Sequence, residues 1–391
     1  MDLGTLRESP CGRLEPISGQ DARWGPFSYF AYVPHPLPRD IPLTGPTITS
    51  VADAGMAIGR LDQAAAQLPN PWLLVRPALR KEALSTSALE GTYAPLTEIL
   101  EGELVGGPGV SASAKEVINY VQAAELAFGR LQERPISLSL LADLQMELVS
   151  GTRGESFDSG RLRERQVFIG SQAAPISEAR FVPPPPGGIL AEGVSDWEKW
   201  IHEEGDIHLL VRVALGHYQF EALHPFSDGN GRLGRLVMAL QLMEAGQMTY
   251  PLLSIAEWLE PRKDDYQEWL LRVSFTGDFD GWVAFICQGM RAQAEEAIGR
   301  IGRLARLRES ILARVRASGS RGGTAYRIAD ELIGYPFLDV PFIARWQEVR
   351  YQTADEAARR LVDIGILTPA KRPGRTRKMF IAREVLQELE R

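Results

Sequence analysis

The sequence HPFSDGNGRLGR, residues 224–235, decides how this 391-residue chain is interpreted. The proline after His224 disfavours helical backbone at that residue, so the preceding helix is predicted to end there. Gly229 and Gly231 flank Asn230, which lets successive backbone N–H groups point into one concavity. The following RLGRLVMALQLM has helical spacing. The turn is therefore predicted to open a helix whose free N–H groups and positive dipole end suit a phosphate.

The charged residues of the same stretch predict a nucleotide site. Arg232 and Arg235 are three apart and share one face of the first helical turn, where an anion between them would relieve their repulsion. Asp228 precedes the turn and is placed to hold a hard cation such as Mg²⁺. His224 titrates near neutrality and can take a proton from an incoming hydroxyl. The residues together predict a nucleoside triphosphate with Mg²⁺ and transfer to a nucleophile.

The composition is that of a globular protein of two or three domains. Hydrophobic residues make up 45% and charged residues 24%, and the net charge of −7 excludes a protein that coats nucleic acid. No apolar run approaches the roughly 18–20 residues that span a bilayer, so no membrane partner is predicted. The start has no apolar signal core. Cys11 and Cys287 are too few for a disulfide framework or a cysteine metal site. We predict a cytoplasmic protein.

Helical periodicity begins near Ser50 and continues through most of the chain. The first part, about 45 residues, is rich in Pro and Gly and is predicted to be irregular or extended. One helix reads PALRKEALSTSALEG, with Pro77 in its first turn and Gly91 at its end. Other helices are predicted over residues 114–132, 138–149, 193–203, 208–221, 231–244 and 282–316, and residues 319–323 are a predicted linker.

Two short β-like runs, RQVFIG and ARFVPPPP, are joined by a polar loop and predict a two-stranded hairpin. Val167 and Ile169 fall on one face of the first strand. A two-stranded hairpin keeps an exposed edge. That edge can capture a target segment by strand addition and fix its hydroxyl near His224. The alternative is a hairpin that only covers the pocket.

The central motif meets every fixed position of HxFx(D/E)GNGRxxR, so the chain resembles the Fic family. The resemblance extends over about residues 25–300 and includes GHYQFEALHPF, the predicted hairpin and residues 254–266. It implies a mainly α fold, a helical bundle with a β-hairpin flap. It also implies an enzyme, a protein adenylyltransferase that moves AMP from ATP to a Ser, Thr or Tyr hydroxyl of a target protein.

The resemblance implies roles for individual residues. His224 is the general base, Asp228 holds Mg²⁺, and Arg235 binds the γ-phosphate of ATP. Many members carry two aromatic residues where this chain has Asp265 and Tyr266. Contact with the adenine edge is therefore expected from Tyr266 alone. The other nucleotide contacts implied are Gly229, Asn230, Gly231, Arg232 and Gly234 in the motif, and Val167, Ile169 and Gly170 in the flap.

The helix KEALSTSALEGT resembles the inhibitory motif of the family, [S/T]xxxE[G/N]. Thr86 and Glu90 are four residues apart and lie on one face, and Gly91 follows. The resemblance implies that Glu90 pairs with Arg235 in place of the γ-phosphate, which a carboxylate can do bidentately. ATP would then bind with misplaced phosphates. It stays open whether Glu90 instead aligns water for removing AMP. A change of oligomeric state, such as a homodimer, is a candidate for what moves the segment.

The C-terminal segment resembles a winged helix. Its predicted second helix, near residues 353–363, lacks a consistent set of base-reading donors, so DNA is the less favoured partner. Packing on the neighbouring domain or recruitment of a protein is preferred. The predicted wing is basic and suited to phosphate, with Lys371, Arg372, Arg375, Arg377 and Lys378.

We therefore predict three domains: an N-terminal region with the inhibitory helix (1–110), a Fic catalytic core (111–300) and a winged helix-turn-helix domain (301–391). Three rival functions share some of these features. One is removal of AMP from a protein, and another is a DNA-binding regulator without catalysis. The third is a metal hydrolase using His217, His224 and Asp228, but the spacing of the two histidines fits no common ligand pattern.

Overall fold

The computed structural model describes the whole chain except residues 22, 106–109, 172, 204, 320–321 and 371–377. The fold is mainly α, as predicted. The helices are α1 Leu3–Arg7, α2 Gly45–Ala66, α3 Trp72–Leu89, α4 Leu96–Val105, α5 Ala112–Arg130, α6 Leu138–Val149, α7 Gly188–His202, α8 Leu209–Leu223, α9 Asn230–Glu244, α10 Ile255–Leu259, α11 Lys263–Thr276, α12 Phe279–Ala317, α13 Thr324–Glu331, α14 Val340–Trp346, α15 Tyr351–Asp363 and α16 Arg383–Leu389. The strands are β1 Gly12–Asp21, β2 Gly25–Pro34, β3 Phe337–Asp339, β4 Thr368–Ala370 and β5 Met379–Ile381.

The helices predicted from periodicity are confirmed as α5 to α9 and α12. The largest shift is at α7, which begins at Gly188 instead of residue 193. The helix predicted from Pro77 is longer than expected, because α3 begins at Trp72 and places Pro77 in its interior. Proline lacks an N–H and is best tolerated in a first turn, but Pro77 is not there, so this prediction is wrong. The upstream apolar residues Leu74 and Val75 are buried and extend the helix.

The N-terminal segment differs from the prediction of irregular chain. Strands β1 and β2 form an antiparallel ribbon in which Gly12 pairs with Pro34 and Asp21 with Gly25. The Pro and Gly residues favoured irregular structure, but the run PFSYFAYV among them is rich in aromatic residues and suits a strand. Gly25 closes the turn with a φ of 83°, which a residue with a side chain rarely adopts.

Helices α8 and α9 form the centre of the core and carry the motif between them. Almost every residue of α8 is buried. The indole N–H of Trp282, on α12, donates to the Ala214 carbonyl at 2.7 Å, and that of Trp197, on α7, donates to the Gly216 carbonyl at 2.8 Å. Helix α9 contacts α3, α5, α6 and α8. The motif is therefore held by a rigid helical frame.

The C-terminal elements run in the order α13, β3, α14, α15, β4, β5 and α16. The strands form one antiparallel sheet in the order β3–β5–β4. This sheet packs on α4, where Phe337 and Met379 meet Leu100. Four basic residues of the predicted wing fall in 371–377, outside the described residues. Helix α12 continues across residue 300, the predicted domain boundary.

Within the described ranges, the chain contains no helix that is both long enough and apolar enough to cross a membrane.

Candidate active site

The turn between α8 and α9 lies where Pro225 and the glycines predict it. His224 ends α8 with a φ of 49°, and Gly229 precedes α9 with a φ of 83°. The Asn230 amide accepts from the Phe226 N–H at 2.9 Å and donates to the Phe226 carbonyl at 2.7 Å. Arg163 donates from Nε to the His224 carbonyl at 2.8 Å. Because its side chain is used within the turn, Asn230 offers only its backbone N–H to a ligand.

A cleft of about 680 Å³ opens in front of this turn. It brings together most of the predicted site residues, namely Glu90, Ile169, Gly170, His224, Asp228, Gly231, Arg232, Arg235 and Tyr266. Val167, Gly229, Asn230 and Gly234 are outside its lining. Instead of Val167, the neighbouring Phe168 faces it. Gly234 has a packing reason for its small size, since a Cβ there would lie 2.9 Å from Oε1 of Glu221.

The His224 imidazole is neutral in this environment. Burial, followed by the nearby Arg163 charge, lowers the pKa of His224 to about 4. Its Nδ1 is buried without a hydrogen-bond partner among the described residues. A neutral ring can accept a proton at physiological pH, which an imidazolium cannot.

Arg235 is buried, and the end of α3 surrounds its guanidinium. Nε donates to Oγ1 of Thr86 at 2.7 Å, and Nη2 donates to the Thr86 carbonyl at 3.1 Å. Nη2 also donates to Oε1 of Glu90 at 2.7 Å. The glutamate therefore pairs with Arg235 but not bidentately as predicted, because Thr86 takes Nε. Gly91 ends the helix with a φ of 81°.

The Glu90 carboxylate stands directly over the start of α9. A Cβ built on Gly231 would lie only 2.1 Å from its Oε1. Partial burial raises the pKa of Glu90, but the charge and hydrogen bond of Arg235 outweigh this, and the net shift is downward. The glutamate is ionised at neutral pH, and it occupies the place of an anion at a helix N-terminus.

Arg232 lies on the same face with unsatisfied donors. Its Nη2 pairs with Oδ1 of Asp228 at 2.9 Å, and its Nη1 lies 3.6 Å from Oε2 of Glu116. Its buried Nε and Nη1 have no hydrogen-bond partner in the described part of the chain. The Asp228 side chain is 42% exposed. The site thus holds buried donors for an anion beside an accessible carboxylate.

Sequence reasoning missed Glu221, a carboxylate on the other side of Arg235. Burial raises the pKa of Glu221 to about 7, and the charge of Arg235 opposes that rise. Nearby, the Tyr266 hydroxyl lies 2.9 Å from Nε2 of His217. The sequence signal is a carboxylate, Glu221, three residues before His224 in a helix with many apolar residues. Glu116 and Arg153 also line the cleft and lie far from the motif in sequence.

The two runs of the predicted flap do pair with each other, but over a short length. Among the described residues, its two runs pair through a single bridge between Ile169 and Phe181. The second run is engaged elsewhere, because the Tyr32 N–H of β2 donates to the Val182 carbonyl at 2.8 Å. The prolines that follow cannot donate to a ladder. The flap is therefore a loop supported by β2.

The described side chains of His, Cys, Asp and Glu form no group of three or more that could hold a metal. His217, a member of the rival metal site, is bonded to Tyr266 through its Nε2. Asp228 is the carboxylate that the motif offers to a cation in the cleft, and a Mg²⁺ bound with a nucleotide commonly has few protein ligands.

Residues 48–129 match the family model described as Fic/DOC family N-terminal, and residues 135–242 match that of the Fic/DOC family. The chain is 29% identical to protein adenylyltransferase fic-1 of Caenorhabditis elegans over 221 residues, 55% of this chain and 40% of that protein. It is 31% identical to protein adenylyltransferase Fic of Drosophila ananassae over 211 residues, 51% of this chain and 38% of that protein. The chain thus spans less than half the length of these curated relatives.

A solved structure of a Fic family protein from Desulfovibrio desulfuricans G20 has the same fold. The TM-score is 0.56 at 20% identity, and the alignment covers 88% of this chain and 98% of the solved one.

Proposed function

We propose that this member of the Fic/DOC family is a protein adenylyltransferase, which moves AMP from ATP to a hydroxyl of a target protein. One observation carries the proposal: a neutral His224 and two buried arginines face the N-terminus of α9 in one cleft, and a carboxylate stands where a phosphate would bind. The names of the relatives support the reaction.

The phosphates would bind to the start of α9. Arg232 offers Nε and Nη1, and its other nitrogen is paired with Asp228. The free N–H groups of the first turn of α9 add the positive end of the helix dipole. Arg235 would meet the γ-phosphate once Glu90 moves. Donors that are fixed before the substrate arrives stabilise transition-state charge without reorganisation.

The reaction follows from these positions. The target hydroxyl oxygen attacks the α-phosphorus and forms a new P–O bond, while the bond to the bridging oxygen breaks and pyrophosphate leaves. His224 accepts the hydroxyl proton, and the Glu221 carbonyl can accept a hydrogen bond from the charged ring. The two arginines hold the phosphate charge. Such proton transfer contributes roughly 10²–10⁴-fold to a rate.

Asp228 would hold Mg²⁺ in this site. When bound, the ion neutralises phosphate charge and orients the leaving group. Its carboxylate is partly exposed in the cleft, and its pairing with Arg232 would have to be shared with the ion.

We further propose that Glu90 is an internal brake. It occupies Arg235 and the start of α9 at once. With Glu90 in place, ATP could bind only with its γ-phosphate displaced. A charge-assisted hydrogen bond is worth roughly 1.5–3 kcal/mol, so misplacing it would suppress transfer by about ten- to a hundredfold.

The target, a protein segment with Ser, Thr or Tyr, would dock at the flap. Phe168, Ile169 and Gly170 line the cleft opposite His224. The backbone of the first run is the candidate edge for strand addition. The winged-helix domain, the domain boundaries, a homodimer and a cytoplasmic location stay predictions, and DNA stays the less favoured partner of the C-terminal region.

The deciding experiment compares two labels. The Glu90→Gly protein is incubated with a lysate, Mg²⁺ and ATP labelled at either the α- or the γ-phosphate. The label that exceeds that of Glu90→Gly/His224→Ala is counted, since kinases of the lysate also use ATP. This excess is expected from the α position alone, and it must disappear in EDTA. Labelling from the γ position would indicate phosphoryl transfer instead. Loss of label from a pre-labelled target would favour AMP removal.

A further inference from the structure

A buried carboxylate, that of Glu116, connects the residues around Glu90 with the nucleotide site. Glu116, on α5, accepts from Oγ1 of Thr92 at 2.8 Å. Its other oxygen lies 3.2 Å from Nε of Arg153. The Glu116 side chain is only 6% exposed, whereas that of Arg153 is 70% exposed at the mouth of the cleft.

Thr92 follows the brake residue by two positions. Its N–H donates to the Ser87 carbonyl at 2.9 Å, which closes the end of α3. Its hydroxyl donates to Glu116 and also accepts from Nη2 of Arg153 at 3.0 Å. Both hydrogen-bonding functions of this hydroxyl are thus used, and both partners belong to parts of the chain other than α3.

We propose that Thr92, Glu116 and Arg153 form a latch that positions Glu90 over α9. Thr92 and Glu116 are positioning residues in this account, since neither touches the reacting atoms. The latch rests on the proposed brake, because its effect on transfer is exerted through Glu90. It adds a place outside the Glu90–Arg235 pair where the brake can be loosened.

Within the latch, Thr92 is the member whose side chain can be changed with the least effect on the phosphate site. Glu116 forms an ion pair with Arg232, with 3.6 Å between Oε2 and Nη1, but its shorter contact, a hydrogen bond of 2.8 Å, is with the Thr92 hydroxyl. Glu116 therefore holds the threonine and leaves Nη1 of Arg232 open to a phosphate. A change at Thr92 should free the end of α3 without removing a nucleotide contact.

Thr92→Val tests the latch, because valine keeps the shape and removes the hydroxyl. We expect the initial rate of labelling to rise roughly tenfold, the factor that corresponds to the loss of one hydrogen bond to a charged group. In the Glu90→Gly background the same change should have no effect. Thr92→Ser should behave like the wild type, and so should the control Thr97→Val, five residues further on.

A double-variant cycle tests the partner. Glu116→Gln removes the charge that faces Thr92, Arg153 and Arg232, so the rate is compared at saturating ATP, where it should also rise. Because both residues act on one contact, Thr92→Val/Glu116→Gln should rise no further than the larger single effect. A double effect equal to the product of the single ones would overturn the latch.

Two results distinguish failure of the latch from failure of the brake. If Glu90→Gly is activated and Thr92→Val is not, the brake stands and the latch is overturned. If Glu90→Gly is not activated, the brake is rejected. The latch is then tested separately by amide hydrogen exchange. The amides of Gly91 and Thr92 should then exchange faster in Thr92→Val than in wild type, and equal rates would reject the latch.

Discussion

The motif turn, residues 224–235, and the flap, residues 166–182, face each other across the cleft but are held very differently. The turn is fixed from three sides: Asn230 bonds both backbone groups of Phe226, Arg163 bonds the His224 carbonyl, and Gln145 bonds the Asp228 carbonyl at 3.1 Å. The two runs of the flap, as far as the structure describes them, pair only around Ile169, whose backbone exchanges hydrogen bonds with Arg180 and Phe181, and Gln166 donates to the Pro183 carbonyl at 2.9 Å. The comparison indicates that the proton acceptor and phosphate donors sit in a turn fixed by buried side chains, whereas the surface for the target is a short strand pair.

The largest effect should come from the fixed side. His224→Ala should lower the transfer rate by roughly 10²–10⁴-fold, because the neutral imidazole that accepts the proton is lost. ATP affinity should change little, since the arginines and the helix N-terminus remain. Transfer of α-label and calorimetric titration with ATP measure the two quantities. The exposed His35 gives a matched control in His35→Ala. A collapse of ATP affinity would contradict the division of roles.

Asp228→Ala should come next, with a loss of roughly a hundredfold or more in Mg²⁺-dependent transfer. The carboxylate that would hold the ion is removed, and Arg232 loses its partner. Titrating Mg²⁺ separates these effects, because Asp228→Asn keeps a hydrogen-bond acceptor for Arg232 but binds the ion less well. Transfer in EDTA at the wild-type rate would reject a metal role for this residue.

The flap side should give a smaller effect of a different kind. Phe168→Ala removes a side chain that lines the cleft and should raise the KM for the target by about five- to tenfold, the scale of about 1–1.4 kcal/mol of lost apolar contact. The affinity for ATP should stay the same. Steady-state kinetics with a peptide target measures this, with the exposed Phe157 changed to Ala as control. An equal loss in ATP affinity would make the flap a part of the nucleotide site alone.

These two regions also differ in how well the sequence predicts them. The motif turn follows from local chemistry, since the glycines, the proline after His224 and the helical spacing each constrain only neighbouring residues. The flap depends on distant chain. Its second run is hydrogen-bonded to β2, and β2 is not predicted, because its prolines and glycines suggest irregular structure.

The site residues divide along the same line. The pairing of Glu90 with Arg235 was inferred from a resemblance, because periodicity alone makes Glu90 an ordinary helix end. Glu116 and Arg153 could not be predicted, since only the packing of α5 and the loop after α6 brings them to the cleft. Strand alternation predicts Val167 and Ile169 on one face, but the adjacent Phe168 and Ile169 both line the cleft, because regular strand pairing is limited to one bridge.

The smallest effect concerns pH on the fixed side. Burial raises the pKa of Glu221 to about 7, so its carboxyl is largely neutral at pH 6 and largely ionised at pH 8. The added negative charge lies beside Arg235 and should weaken the binding of the γ-phosphate there. The Glu90 charge contributes to that raised pKa, so in Glu90→Gly the transition lies at lower pH, and across it the Kd for ATP should rise roughly threefold, on the scale of a modest screened charge interaction. Adding Glu221→Gln should remove this part of the rise, and an unchanged pH profile would contradict the assignment.

The central claim is that a nucleotide site at α9 is closed by Glu90 acting on Arg235. The most direct measurement compares transfer of α-labelled AMP by the wild type, Glu90→Gly and Glu90→Gly/Arg235→Ala under the same conditions. We expect Glu90→Gly to be the most active, by about ten- to a hundredfold over wild type, because Arg235 becomes free for the γ-phosphate. The double variant should be inactive. A wild type as active as Glu90→Gly, or a double variant that keeps the gain, would contradict the claim.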